Sequence, residues 1–134
     1  MIFVDSSVIV AIVALETDAA ALAKKLETDS DRISAGHVIL ESSMRLATLL
    51  NVTPTIAAGT VTRLLHEADI KIVPITEEIA HISVSAFERY GKGRNNRAGL
   101  NFGDCFAYAL AKITGEPLLF KGEDFKKTDI TSAL

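Results

Sequence analysis

Four short, mainly apolar runs are spread along this chain, and segments with the helical spacing of apolar residues separate each run from the next. The runs cover residues 2–4, 32–35, 70–75 and 117–120. They predict short β-strands, and Pro74 marks either the end of the third strand or an edge position. The connections are long enough for helical crossovers, so the sequence predicts an α/β fold with a central parallel β-sheet flanked by helices on both faces.

The segments between the strands predict the helices of this fold. The first two are either two short helices or one kinked helix, because the apolar spacing breaks near Glu16 and Thr17. Later helices are marked by Pro54 in a first turn, by Thr76 as an N-cap, and by Gly115 just after a helix end. The predicted helices cover residues 8–15, 18–26, 37–50, 54–69, 77–87 and 104–113.

Length and composition predict one domain over residues 1–134, with 49% hydrophobic side chains and a formal net charge of −3. Cys105 is the only cysteine, which excludes an internal disulfide and a four-cysteine zinc site and favours a reducing, cytoplasmic location. The apolar N-terminal stretch is interrupted by Asp5 and has no basic residue before it. We therefore expect neither export nor insertion into a membrane.

Four acidic residues stand at places where the pattern favours apolar or neutral side chains. Asp5 closes the first predicted strand, Glu41 lies in an amphipathic helix, and Asp104 opens an almost wholly apolar one. Asp124 follows the last strand. Because the carboxyl ends of parallel strands meet at one edge of a sheet, we expect these carboxylates to converge there.

Each acid also has a simpler explanation when it is taken alone. Asp5 and Asp104 are good N-caps for the helices that follow them. Glu41 can pair with Arg45 one turn later, and Asp124 can be a turn residue ahead of a docking Phe125. The three histidines, which show no metal-ligand spacing, are expected at helix ends or on the surface. They are His37, His66 and His81.

Convergence of the four carboxylates is what the simpler explanations leave unexplained. Buried carboxylates repel one another and are costly to desolvate unless a divalent cation neutralises them. Oxygen ligands without histidine or cysteine select Mg²⁺ or Mn²⁺, and Mg²⁺ favours phosphate substrates. A metal of this kind can activate water against a phosphate ester, so the constellation indicates phosphodiester hydrolysis.

Several motifs resemble the PIN-domain ribonucleases, in particular the VapC toxins of toxin–antitoxin pairs. The likeness covers essentially the whole chain. The most specific part is the segment around Asp104, at residues 101–109, followed by Pro-Leu-Leu-Phe-Lys-Gly-x-Asp-Phe at residues 117–125. The motifs are Met-Ile-Phe-Val-Asp-Ser-Ser at residues 1–7, the Glu41 helix, Asn-Phe-Gly-Asp-Cys-Phe-Ala-Tyr-Ala at 101–109, and residues 117–125 with Thr-Asp-Ile at 128–130.

The resemblance implies a Mg²⁺- or Mn²⁺-dependent endoribonuclease that arrests translation by cutting structured RNA such as tRNA or rRNA. It also implies a cognate VapB-like antitoxin and a homodimer. Asp5, Glu41 and Asp104 match the three family acids that bind Mg²⁺, and Asp124 matches the more variable fourth. Many relatives carry that fourth acid two positions earlier, where this chain has Gly122.

Two further features are expected near the site. Ser6 or Ser7 can bond Asp5 or a phosphate oxygen, or can act as a cap. The basic segment 89–97 contains four cations and no acid, and we expect Arg94 and Arg97 to bind RNA phosphates unless the segment is only a solvated loop.

Three alternatives of other classes stay open at this point. A receiver-like phosphoacceptor domain would use Lys121, but it needs an acid pair after the first strand. A haloacid-dehalogenase-like phosphatase needs Asp-x-Asp there, and residue 7 is Ser. The third alternative is a non-catalytic PIN-like module that only binds a partner.

Overall fold

The sheet has four short strands, all parallel, in the order β3-β2-β1-β4. The computed structural model describes residues 1–134. Phe3 pairs in register with Ile33 on one side and with Leu118 on the other, so β1 is a central strand. The strands are β1 Ile2–Val4, β2 Arg32–Ala35, β3 Ile70–Val73 and β4 Leu118–Leu119.

Six α-helices and one 3-10 turn connect and flank the strands. The break expected near Glu16 separates two short helices. The helices are α1 Ser6–Val13, α2 Ala19–Thr28, α3 Gly36–Leu50, α4 Pro54–Glu67, α5 Glu77–Tyr90 and α6 Phe102–Thr114, and the 3-10 turn is Asp124–Lys127. No helix combines the length and apolar character that crossing a bilayer requires.

Alternating strand residues bury two hydrophobic cores, one on each face of the sheet. Phe3 joins the core built with α5 and α6. Ile2 and Val4 point the other way and join the core built with α1 to α4. The predicted architecture, a parallel sheet with helices on both faces, is confirmed.

Several predicted boundaries were wrong by one or two residues. Strand β3 stops at Val73 because Pro74 has no N–H to continue the ladder, and β3 is indeed an edge strand. Only Leu118 and Leu119 of the last run form β4. Helix α6 begins at Phe102 rather than Asp104, because Asn101 caps it through a 2.9 Å hydrogen bond from the Asp104 N–H.

Candidate active site

An open cavity of about 390 Å³ lies where the carboxyl ends of β1 and β4 meet the first turn of α6. Asp5 follows β1 directly, and its N–H donates to the Leu119 carbonyl of β4 at 3.0 Å. Only two of the thirteen lining residues are hydrophobic. All four predicted acids line this cavity: Asp5, Glu41, Asp104 and Asp124.

Asp5 sits at the bottom of the cavity and is 3% exposed. It is the N-cap of α1, as one simpler explanation expected, but capping uses only one of its carboxylate oxygens. Its Oδ2 accepts from the Ser7 N–H at 3.1 Å and from the Ser7 hydroxyl at 2.6 Å. Its Oδ1 is buried and has no hydrogen-bond partner. Burial, with a contribution from the charge of Glu41, raises the pKa of Asp5 to about 6.

Asp104 is 8% exposed in the first turn of α6. The simpler explanation made it the N-cap, which is wrong. Asp104 is the acidic member of a capping box, in which its Oδ2 accepts from the Asn101 N–H at 3.1 Å. Burial raises its pKa to about 7, and the charges of Asp5, Glu41 and Asp124 act in the same direction. Four carboxylates therefore share a single electrostatic environment.

Glu41 reaches the cavity from α3 and is held by the Ser6 hydroxyl, which donates to its Oε1. It forms no ion pair with Arg45, so the explanation of Glu41 as half of a surface salt bridge is wrong. A Cβ placed on Gly103 would lie 2.8 Å from Cδ of Glu41. The absence of a side chain at Gly103 is thus what lets Glu41 approach the first turn of α6.

Asp124 stands at the exposed rim of the cavity, at the start of the 3-10 turn. Phe125 beside it is buried against the core, so the expectation of a turn residue ahead of a docking aromatic is also confirmed. Gly122 has φ +109°, a value that favours glycine, and the chain bends there before it reaches Asp124.

Several cavity residues were not predicted. Glu16 lines the cavity and forms an ion pair with Lys121, whose Nζ lies 3.1 Å from Asp18. The Lys121 N–H also donates to the Ser7 hydroxyl at 2.9 Å. These ties hold the end of β4 against α1. Because the ammonium of Lys121 is engaged by Glu16 and Asp18, it does not play the part that a receiver-like domain would require.

The two predicted RNA-binding residues lie outside the cavity lining. Arg94 and Arg97 are exposed in the loop between α5 and α6, and neither forms an ion pair. Asn96 fixes the base of this loop, since its Nδ2 donates to the Gly91 carbonyl at 2.8 Å and its Oδ1 accepts from the Ala98 N–H at 2.9 Å. The loop is therefore solvated at its tip and anchored at its base.

His37 lies at a helix end, as expected, in the first turn of α3. His37 packs its ring against Phe106 at 5.5 Å, and both of its ring nitrogens are buried without a hydrogen-bond partner. Burial lowers its pKa to about 4, so the ring is neutral at pH 7. His37 is half-buried. No three His, Cys, Asp or Glu side chains form a group that could hold a metal ion by themselves.

The acidic cavity nevertheless fits a hard divalent cation that keeps part of its water. Its donors are carboxylate oxygens, and the buried, unpaired Oδ1 of Asp5 is a ligand without a partner. Carboxylates spread around a cavity of this size leave room for bound water, which Mg²⁺ retains more readily than other metals. Asp5, Glu41 and Asp104 are the residues that would hold it, in part through water.

The chain is similar to known proteins over nearly its whole length. The PIN domain family model matches residues 2–130. Ribonuclease VapC30 of Mycobacterium tuberculosis is 39% identical over 129 residues, which cover 96% of this chain and 95% of that protein. Ribonuclease VapC28 of the same organism is 42% identical over 132 residues, covering 98% and 96%.

A crystal structure of similar fold is that of Mycobacterium tuberculosis VapC20, described as a sarcin-ricin loop cleaving toxin. The two folds superpose with a TM-score of 0.74 at 16% sequence identity, over 98% of this chain and 97% of that one. At this identity the likeness concerns the fold alone.

Proposed function

The chain belongs to the PIN domain family and, within it, to the VapC ribonucleases, and on that premise we propose that it cleaves RNA in the acidic cavity. It is a toxin of the VapC type that hydrolyses RNA phosphodiester bonds. The cofactor we propose is Mg²⁺ or Mn²⁺, held by Asp5, Glu41 and Asp104. The receiver-like and dehalogenase-like alternatives are wrong, because the family match covers nearly the whole chain.

One observation carries the proposal on the cofactor: Asp5 Oδ1 is buried without a partner in a cavity that three other carboxylates share. A divalent cation removes both the missing interaction and the repulsion. When bound, it supplies Lewis acidity that activates water and stabilises negative charge on the phosphate.

The residues of the chain have separable tasks in this proposal. Ser7 fixes the rotamer of Asp5 with two hydrogen bonds to Oδ2 and leaves Oδ1 for the cation. Ser6 holds Glu41 at Oε1, which leaves Oε2 to orient the attacking water or accept its proton. Asp124, exposed at the rim, completes the ligand shell or a weaker second site.

The test compares RNA cleavage in EDTA with cleavage after addition of Mg²⁺ or Mn²⁺, for the native chain and for Asp5→Asn. Asparagine caps helices as well as aspartate does, so this variant should keep α1 while losing a charged ligand. We expect cleavage by the native chain only with metal, and products with 5′-phosphate and 3′-hydroxyl ends. Cleavage in EDTA, or undiminished cleavage by Asp5→Asn, would contradict the proposal. A Mn²⁺-soaked crystal should show anomalous density between Asp5 and Asp104.

We also propose that Arg94 and Arg97 bind RNA phosphates outside the acidic cavity. Two lost contacts to single-stranded RNA should lower the slope of log affinity against log salt by about 1.4 in Arg94→Ala/Arg97→Ala. Arg63→Ala, on the exposed surface of α4 and without an ion pair, is the matched control. An unchanged slope would remove the loop from the RNA interface.

Partners beyond RNA follow from the same family. We propose a VapB-like antitoxin as the cognate inhibitor, a homodimer as the assembly, the cytoplasm as the location, and tRNA or rRNA as the target. Light scattering on the purified chain tests the dimer. Mapping of cleaved ends in total RNA tests the target.

A further inference from the structure

One large aromatic side chain beside the acidic cavity is exposed to solvent instead of being packed into the core. Phe102 is 82% exposed at the first position of α6. Its ring centroid lies 5.1 Å from that of Phe106 at an interplanar angle of 81°, and Phe106 lies 5.5 Å from His37. Because the two rings meet edge to face, Phe106 covers at most one face of the Phe102 ring. Phe102 therefore offers a flat apolar face to solvent.

Helix α3 continues this surface with two parallel stripes. Leu40 and Met44, one turn apart, are large, apolar and exposed. Glu41 and Arg45 form the neighbouring polar stripe. The apolar stripe, Phe102 and His37 line a cavity of about 480 Å³, which we call the aromatic shelf and define by Leu40, Met44, Phe102 and His37.

The aromatic shelf and the acidic cavity are adjoining compartments. They share three lining residues, Glu41, Arg45 and Asn101. Arg45 is exposed on this boundary and forms no hydrogen bond or ion pair with the protein. A ligand that spans both compartments thus contacts the carboxylates first, then the unpaired guanidinium of Arg45, and then an apolar aromatic surface.

A nucleotide within an RNA strand carries groups that match these compartments in the same order, since its charged phosphate is joined to a base with a flat, apolar face. Resting on the ribonuclease function proposed above, we propose that the aromatic shelf binds the base of a nucleotide next to the scissile phosphate. Phe102 stacks on that base, and Arg45 contacts the intervening phosphate. Stacking on an aromatic ring tolerates any base, so the aromatic shelf positions the strand more than it selects a sequence.

Continuity with the acidic cavity favours RNA over a protein as the occupant. The two compartments share Glu41, Arg45 and Asn101, so a strand whose scissile phosphate lies in the acidic cavity extends directly over Arg45 and the aromatic shelf. A phosphate diester meets Arg45 while its neighbour in the strand occupies the acidic cavity as substrate. The proposal therefore commits to a nucleobase.

The test uses a fluorescent single-stranded RNA of mixed sequence, whose cleavage position is first mapped with the native chain and Mn²⁺. Two further RNAs carry an abasic nucleotide on one or the other side of that position. Phe102→Ala should lower kcat/KM on the intact RNA by about 5- to 150-fold, and Phe102→Trp should restore it. One of the abasic RNAs should be cut more slowly by the native chain by a similar factor, with no further loss in Phe102→Ala.

Val84→Ala removes another exposed apolar side chain, on α5 and away from both compartments, and should cleave like the native chain. Equal abasic penalties in the native chain and in Phe102→Ala would overturn the stacking role. A Phe102→Ala variant that cleaves normally but changes mass in light scattering would also overturn it, and would make the aromatic shelf a contact between protein copies. Undiminished cleavage by Asp104→Asn, in contrast, would contradict the proposed nuclease site itself.

Discussion

Helix α6 contacts one carboxylate cluster near each of its ends, and the two clusters differ in what surrounds the acid. At the first turn, Asp104 faces Asp5, Glu41 and Asp124, with no cation paired to it. One and two turns later, Tyr108 and Lys112 contact Asp129 of the C-terminal segment. The Tyr108 hydroxyl donates at 2.6 Å and the Lys112 ammonium at 3.0 Å.

The electrostatic consequences are opposite. Burial raises the pKa of Asp104 to about 7, whereas the hydrogen bond from Tyr108, helped by Lys112 and Arg89, lowers the pKa of Asp129. Asp129 is satisfied by the protein and ties the C-terminal segment to α6. No cation of the protein pairs with Asp104, so its negative charge is compensated only when a cation binds in the cavity. The difference teaches that a cluster of acids indicates a ligand site when the protein itself supplies no counter-charge.

The largest expected effect is on the rate of RNA cleavage, which should depend on the cluster around Asp104 and not on the cluster around Asp129. Asp104→Asn should lower the rate of Mn²⁺-dependent RNA cleavage by about 10²- to 10⁴-fold, because it removes a charged ligand or proton-handling group. Asn can still accept the capping hydrogen bond from the Asn101 N–H, so the helix should remain. Asp129→Asn is the matched control and should cleave normally per folded molecule. Equal losses in the two variants would break the distinction.

The second effect is on stability against pH in the absence of metal. The unfolded chain ionises Asp104 and Asp5 near pH 3.8, but the folded chain retains their protons to about pH 7 and 6. Folding stability should therefore fall by several kcal/mol as pH rises through this window, and Mn²⁺ at a hundredfold excess over its Kd should restore about 2.7 kcal/mol at pH 8.

His37 acts in the opposite direction, since its lowered pKa costs stability as pH falls from 6.5 towards about 4. The measurement is therefore the difference in urea unfolding between the native chain and Asp104→Asn at pH 5 and pH 8, because both proteins keep His37. Asp129 loses its contribution only when the pH falls below about 4, its ordinary range. A pH-independent difference between the two proteins would contradict the raised pKa of Asp104.

The third effect concerns the close approach of Glu41 to Gly103. Gly103→Ala should displace the flexible Glu41 carboxylate and lower RNA cleavage by about 10- to 100-fold, as small misplacements of reacting groups do. Stability should be unchanged or higher, since alanine favours helix over glycine by up to about 1 kcal/mol. Gly59→Ala in α4 meets nothing within 4 Å and should raise stability without touching activity. Normal cleavage by Gly103→Ala would show that Glu41 has room to move.

The smallest effect belongs to the satisfied cluster. Asp129→Asn should lower the free energy of unfolding at pH 7 by about 1 kcal/mol, the scale of one exposed ion-pair network with a tyrosine hydrogen bond. Thermal melting of this variant beside Lys112→Met checks whether the two act through the same contact. Losses that add fully in the double variant would contradict a shared cluster.

Much of this organisation was accessible from the sequence, for definite reasons. The strands and the break between α1 and α2 follow from local apolar spacing. The convergence of Asp5 and Asp124 follows from the rule that parallel strands end at one edge. The predicted start of α6 was wrong because the apolar run begins only after Asp104, although Asn101-x-x-Asp104 carries a capping-box signal.

Contacts between distant segments were harder to foresee. The hydrogen bond from Ser6 to Glu41 joins residues 35 positions apart, and the pair between Lys121 and Glu16 joins residues 105 apart. Neither has a spacing signature. The role of Gly103, which is to leave room for the Glu41 carboxylate, depends on the packing of α3 against α6 and has no signal in the motif.

By itself, the sequence determined the fold class and predicted the four acids of the cavity and the metal chemistry they favour, because strand and helix periodicity and ligand type are local properties of the chain. Only the tertiary structure decided which carboxylate oxygen lacks a partner, which acids repel one another and which acid is neutralised. It also decided that an exposed Phe102 adjoins the acidic cavity. These are properties of distance and burial, which arise only when β1, β4, α3 and α6 come together.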